Sequence, residues 1–263
     1  MSFPAIVWDY YHQHGRAFPW RERITPYKIL VSELMLQQTQ TQRIETRFPQ
    51  FLKRFPSLRE LAAASQSEVL QEWQGLGYNR RGKYLHEAAK FFESEYDGII
   101  PEDPRLLQKA PGIGLYTAAA LPCFAYNKPT VFIETNIRTV YLHHFFRGQT
   151  EVDDKAILPL IARDVDASNP REWYYALMDY GVYLKRTFGS LNHQSKHYRK
   201  QSKFAGSNRQ VRATLLKHVL IKPHTLPQLR AYFSPTEKRL RTNLQALLDE
   251  GFLVEKQGRY FPA

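Results

Sequence analysis

"LLQKAPGIGLYTAAAL", residues 106–121, is the stretch on which the architecture turns. The spacing predicts helices over 103–109 and 115–126, with APGIG between them. Gly112 and Gly114 permit backbone conformations closed to other residues. The second helix opens directly after the turn, so its first N–H groups and the positive end of its dipole face whatever lies beyond. Lys109, Gly112, Ile113 and Gly114 are therefore candidates for holding an anion. An ordinary tight turn would use the same glycines. Pro111 and the two flanking helices favour the anion site.

Charge supports that choice. The 263 residues carry a net charge of +12 with pI near 9.7, which calls for a polyanionic partner, nucleic acid before an acidic membrane surface. A turn of this kind between helices looks like a helix-hairpin-helix, which grips a DNA phosphate without reading sequence. With 43% hydrophobic residues there is core enough for one large or two modest domains. The single cysteine, Cys123, excludes an intrachain disulfide and any cysteine-ligated zinc or iron–sulfur site, and it fits a reducing cytosol. His193 and His197 are four apart but lack a third ligand, so neither metal nor other cofactor is expected. No signal peptide and no run approaching a transmembrane helix is visible. The expectation is a monomer without membrane contact, cytoplasmic, and nucleoid-associated if the source is prokaryotic.

Apolar residues at three- and four-residue spacing predict helices over 3–14, 26–54, 57–63, 67–74, 80–96, 134–146, 153–164 and 170–184. The body reads as all-α. From Lys185 to Lys217 there are nine Lys or Arg and no Asp or Glu, and the centre of that segment reads as an extended basic arm. Lys196, Arg199 and Lys200 are its candidate phosphate contacts, the alternative being a merely solvated face. Helices over 209–220 and 225–233 follow. Ser234, Pro235 and Glu237 then read as a capping box opening a third helix that ends at Gly251, and Gly258 sits in a hairpin turn. Three helices and a hairpin outline a winged helix, with Arg239 and Arg241 as DNA-contacting candidates or, alternatively, solvated charges on a protein-docking module. The expected division is 1–184, a basic arm at 185–208, and a winged-helix-like domain at 209–263.

In "TVFIETNIRTV", residues 130–140, an apolar run delivers a lone carboxylate, Glu134, beside Asn136 at the start of a helix. A helix cap would explain it locally. Three further stretches add to it: "FPWR" (18–21), "PYKILVSELMLQQTQ" (26–40) and "GLGYNRR" (75–81). Together with APGIGLYTAAAL and ETNIRTV, they closely resemble the adenine-specific mismatch DNA glycosylases, the MutY family of the helix-hairpin-helix glycosylase superfamily. The resemblance runs in order over about residues 5–184.

It implies a two-part helical glycosylase fold and a monofunctional enzyme of base excision repair. Such an enzyme would act on double-stranded DNA with a mismatched or damaged base, adenine opposite 8-oxoguanine or G being favoured. By the same resemblance Glu33 is the acid that protonates the leaving base, Glu134 stands where the superfamily has its catalytic Asp, and Asn136 matches the Asn two residues on. Gln37, Gln38 and Tyr78 match the residues that wedge into the duplex. Tyr116 occupies the place of a Schiff-base lysine, which implies hydrolysis rather than lyase chemistry. The two carboxylates should differ, Glu33 buried and protonated, Glu134 ionised and hydrogen-bonded.

Three departures leave rival readings open. The resemblance implies an Asp where Glu134 stands, a four-cysteine iron–sulfur segment after MDYGVYLK whose first cysteine is replaced by Lys185, and a C-terminal 8-oxoguanine-reading domain where this chain has a short winged helix. A thymine or uracil mismatch glycosylase and a non-catalytic binder of distorted DNA are the rivals.

Overall fold

The computed structural model describes residues 1–199, 203–232 and 236–263. They form fourteen α-helices and one small three-stranded antiparallel sheet. None of the described helices is long and apolar enough to cross a membrane. The chain divides into two compact units, Met1–Glu33 with Ile100–Lys200, and Leu34–Ile99 with Gln201–Ala263.

The first unit contains α1 (Phe3–His14), most of α2 (Pro26–Leu36), α7 (Pro104–Leu107), α8 (Leu115–Tyr126), α9 (Thr135–Phe145), α10 (Asp154–Asp164) and α11 (Pro170–Phe188). Its centre is α11, whose Trp173, Tyr174 and Leu177 are wholly buried. Asp179 on that helix, 1% exposed, accepts from the guanidinium groups of both Arg16 and Arg21 at 2.7–2.9 Å. The FPWR stretch is thereby fastened to α11. Residues 189–199, expected within an extended arm, instead pack on this unit. A 3-10 turn at Leu191–Gln194 leads into a bridge between Val152 and Ser195, and buried Asn192 donates to Thr139 at 3.1 Å.

The second unit contains α3 (Thr41–Arg54), α4 (Leu58–Ala63), α5 (Gln66–Glu72), α6 (Arg80–Tyr96), α12 (Asn208–Ile221), α13 (Leu226–Arg230) and α14 (Glu237–Asp249). Its strands β1 (His224–Thr225), β2 (Leu253–Lys256) and β3 (Arg259–Pro262) run in the order β1-β3-β2. Gln257 and Gly258, both at positive φ, make the two-residue hairpin turn that the glycine announced. β1 is two residues long and leaves no periodic signature. Leu215, Leu244, Leu247 and Phe252 share one core with Leu70 of α5. Glu250 adds ion pairs to Arg80 and Arg212, both at 2.6 Å, which hold its carboxyl down at about 2. The C-terminal module thus packs directly on α5 and α6. The expected capping residues Ser234 and Pro235 lie outside the described residues, and α14 begins at Glu237.

One element expected as continuous is broken. The helix predicted over 26–54 is two, α2 and α3, with a turn between them in which Gln38 lies at φ 55°. Arg81, 8% exposed, accounts for the break. Its guanidinium donates to the carbonyls of Leu34 and Met35 at the end of α2, to Thr39 Oγ1, and to the carbonyls of Leu76 and Gly77, all at 2.7–3.1 Å. Cationic donors suit the negative end of a helix. Burial costs Arg81 enough to lower its pKa to about 10.

Arg81→Met would strand these buried acceptors at almost unchanged volume. We expect unfolding in urea to show a loss of at least ~3 kcal/mol. A loss below ~0.5 kcal/mol would show that water or other donors serve the acceptors equally well.

Candidate active site

Glu33 lies on α2 among Ile29, Leu30, Val31 and Leu34, every one of them essentially solvent-free, and is itself 7% exposed. Desolvation pushes its pKa up to about 7, the nearby Glu134 charge adds to the rise, and a hydrogen bond from the Tyr116 hydroxyl opposes it. Tyr116 is raised well above its ordinary value by burial and by both carboxylates, so the phenol stays protonated and donates. Glu33, Tyr116 and Glu134 therefore form one cluster within the first unit.

The path of residues 130–134 explains how Glu134 arrives there. The run is neither helix nor strand. Tyr174 donates to the Thr130 carbonyl at 2.8 Å, and its ring stacks on Phe132 at 3.9 Å. Phe132 in turn meets the Tyr116 ring edge-on at 5.7 Å. Next in the chain, Glu134 is the N-cap of α9. Its Oε1 accepts from the N–H groups of Asn136 at 2.7 Å and Ile137 at 2.8 Å, and its Oε2 accepts from Asn136 Nδ2 at 3.2 Å. The local reading as a cap is correct, and it coexists with proximity to Glu33.

Burial moves the Glu134 carboxyl upward overall, although the two main-chain donors, Arg138 and Lys185 all pull it down. Burial outweighs those hydrogen bonds and charges, so the carboxyl stays above the usual carboxylate range. Of the two acids Glu134 nevertheless carries the donor set that suits an anion.

Gly181 is a site determinant that the sequence did not flag. A Cβ there would lie 2.4 Å from the Asn136 carbonyl oxygen, so only glycine lets α11 approach the start of α9 this closely. A glycine inside the otherwise bulky MDYGVYLK was the available signal.

The hairpin expected to hold phosphate lies in the same unit. Gly112 is at φ 75°, Ile113 is buried, and Lys109 is exposed. Gly114 is the N-cap of α8, without a side-chain cap, and open space surrounds the position a Cβ would take. The first-turn N–H groups of α8 thus have no partner inside the helix.

In the second unit, Gln37 and Gln38 occupy the turn after α2, and Tyr78 stands at φ 47° in the loop before α6. Thr39 Oγ1 donates to the Leu76 carbonyl at 3.2 Å, so Arg81 and Thr39 join these two loops. On α14 the two arginines are already engaged. Arg241 pairs with Glu237 at 2.7 Å, and Arg239 donates to Asn208 Oδ1 and the Gly206 carbonyl. In the arm, Lys196 pairs with Asp153 at 3.3 Å, Arg199 is exposed, and Lys200 lies outside the described residues. Cys123 is buried, and burial pushes its thiol up.

The buried Glu33 has a measurable consequence for stability. The folded chain holds this proton up to about pH 7, whereas an unfolded glutamate releases it near its ordinary value of 4.5. The folded state therefore binds the extra proton, and stability falls as pH rises across that window, by up to about 3 kcal/mol. In Glu33→Gln this part of the pH dependence should vanish, leaving the variant more stable than wild type above pH 7. Parallel denaturation curves for the two proteins from pH 4.5 to 8 would contradict it.

Similarity to known proteins gives the family. Residues 31–158 match the HhH-GPD superfamily of base excision DNA repair proteins. The chain is 34% identical to the adenine DNA glycosylase of Mycolicibacterium smegmatis, over 98% of this chain and 94% of that one. It is 41% identical to the adenine DNA glycosylase of Mycobacterium tuberculosis, over 51% of this chain and 44% of that one. Among solved structures, a thermostable thymine-DNA glycosylase superposes with a TM-score of 0.62 at 25% identity, covering 68% of this chain and 84% of that one. With its helical architecture and base-excision family established together, the chain belongs to the adenine DNA glycosylase (MutY) family of the HhH-GPD superfamily and is a DNA N-glycosylase of base excision repair.

Proposed function

We propose that this glycosylase excises adenine mispaired with 8-oxoguanine or G, by base flipping and hydrolysis, without a lyase step. The observation that carries the reading is the cluster itself: a buried acid with a pKa of about 7 beside a second, helix-capping carboxylate. The names of the similar bacterial proteins favour adenine. The match to the Mycolicibacterium smegmatis enzyme spans 98% of this chain, so the short C-terminal module is no argument against that substrate.

The target nucleotide must leave the stack before its glycosidic bond can be reached. Gln37, Gln38 and Tyr78 act as the wedge that fills its place. Lys109, Gly112, Ile113 and Gly114 hold a backbone phosphate, with Lys196, Arg199, Lys200, Arg239 and Arg241 as outlying contacts. Neutral Glu33 gives its proton to the departing base as the bond to C1′ breaks, so adenine leaves uncharged. The ionised Glu134 faces the oxocarbenium-like sugar, and Asn136 holds that carboxylate. Water adds its oxygen to C1′ and gives a proton to Glu134, leaving an abasic site. Tyr116 orients the Glu33 carboxyl and cannot form an imine, so the strand stays intact.

Single-turnover base release from labelled duplexes tests this. Adenine should be released opposite 8-oxoguanine and G, with strand scission only after alkali. The rate constant should fall as pH rises through about 7, because Glu33 acts in its protonated form. Glu33→Gln should release nothing. Release of thymine or uracil from G mispairs instead would favour the second reading, which the likeness to the thymine-DNA glycosylase supports. Binding without release from any duplex would mark a non-catalytic protein.

A further inference from the structure

We propose that Arg209 is a positioning residue of the wedge, through which the C-terminal module sets the pose of Tyr78. This rests on the reading of Tyr78 as a wedge. Arg209 sits on the first turn of α12, just after its N-cap Ser207. Its guanidinium donates to the Tyr78 hydroxyl and lies 5.1 Å from the centroid of the Tyr78 ring. Arg81 approaches the same ring at 5.5 Å. One half-buried tyrosine is thus flanked by two guanidinium groups, both within the second unit.

Two further observations give the contact purpose. Tyr78 is held at φ 47°, a left-handed conformation that a side chain of this size rarely adopts and that surrounding bonds must maintain. The start of α12 is itself fastened. Arg239 of α14 donates to Asn208 Oδ1 at 2.8 Å and to the Gly206 carbonyl at 2.6 Å. A chain of bonds therefore runs from α14 through the start of α12 to the hydroxyl of Tyr78. Arg239, singled out from sequence as a groove contact, serves here as the anchor of that chain.

A guanidinium beside a tyrosine hydroxyl fixes ring orientation more sharply than packing does, because the charge-assisted bond is directional. An aromatic side chain entering a base stack needs its plane set before it enters. Removing Arg209 should leave Tyr78 in place but free to rotate, so the loss should fall on unstacking and on the rate that depends on it.

The test uses the full chain with Arg209→Ala, Arg209→Lys, Tyr78→Phe, Tyr78→Ala and the double variant Arg209→Ala/Tyr78→Phe. Two readouts are taken: 2-aminopurine fluorescence beside the mispair on binding, and single-turnover base release. Arg209→Ala should lower release about tenfold. It should also reduce the fluorescence rise, with unchanged thermal stability. Arg209→Lys should recover only part of both. Losses in the double variant should be no greater than in the worse single variant, because both remove one bond. Additive losses, or Arg209 variants matching wild type while Tyr78→Ala does not, overturn the proposal and leave the wedge standing. If wild type and Tyr78→Ala give the same fluorescence, the wedge reading falls, and this proposal with it.

Discussion

The Glu134 carboxylate does two jobs with one side chain, and the site depends on both. As N-cap it satisfies the Asn136 and Ile137 N–H groups, which fixes the direction from which α9 starts. As the neighbour of Glu33 and Tyr116 it raises the proton affinity of each. Those two roles need a carboxylate held still in poorly solvated surroundings. The held geometry comes from the Tyr174–Phe132 stack on one side and from Gly181 on the other, since any Cβ at 181 would push α9 away. The Glu134 side chain reaches both cap donors at 2.7 and 2.8 Å.

A similar economy governs the second unit. Arg81 closes the end of α2 and joins the two loops that present Gln37, Gln38 and Tyr78. Two of these tip residues, Gln38 and Tyr78, sit at positive φ, which costs stability locally. Loops with that strain keep one shape only when bonds behind them over-determine it. A single buried cation with five oxygen acceptors does so.

Much of this was legible in the sequence because the relevant residues act locally. The hairpin around Gly112 and Gly114, the capping position of Glu134 and the turn at Gly258 each follow from short-range chemistry. What stayed hidden depends on partners far away in the chain. The break after Leu36 carries no proline or glycine, so apolar periodicity runs through it, and the carbonyls at the end of the helix are met by the distant Arg81. The packing of the C-terminal module on α5 rests on Leu70 and on Glu250 with its two arginines, none of which any local pattern marks. The anchoring of Arg239 to Asn208 and Gly206 was hidden as well, because those acceptors lie about thirty residues earlier. The upward pKa shift of Glu134 carries no mark in the sequence either, since desolvation is a property of the packed structure.

The most direct test of the two-role account is Glu134→Gln, measured for thermal stability and for single-turnover base release in one preparation. Glutamine keeps an oxygen that can accept from Asn136 and Ile137, but it carries no charge for the sugar cation. Tm should stay within a few degrees of wild type. Release should fall at least ~100-fold. Release equal to wild type would contradict it and would leave Glu134 as a helix cap alone.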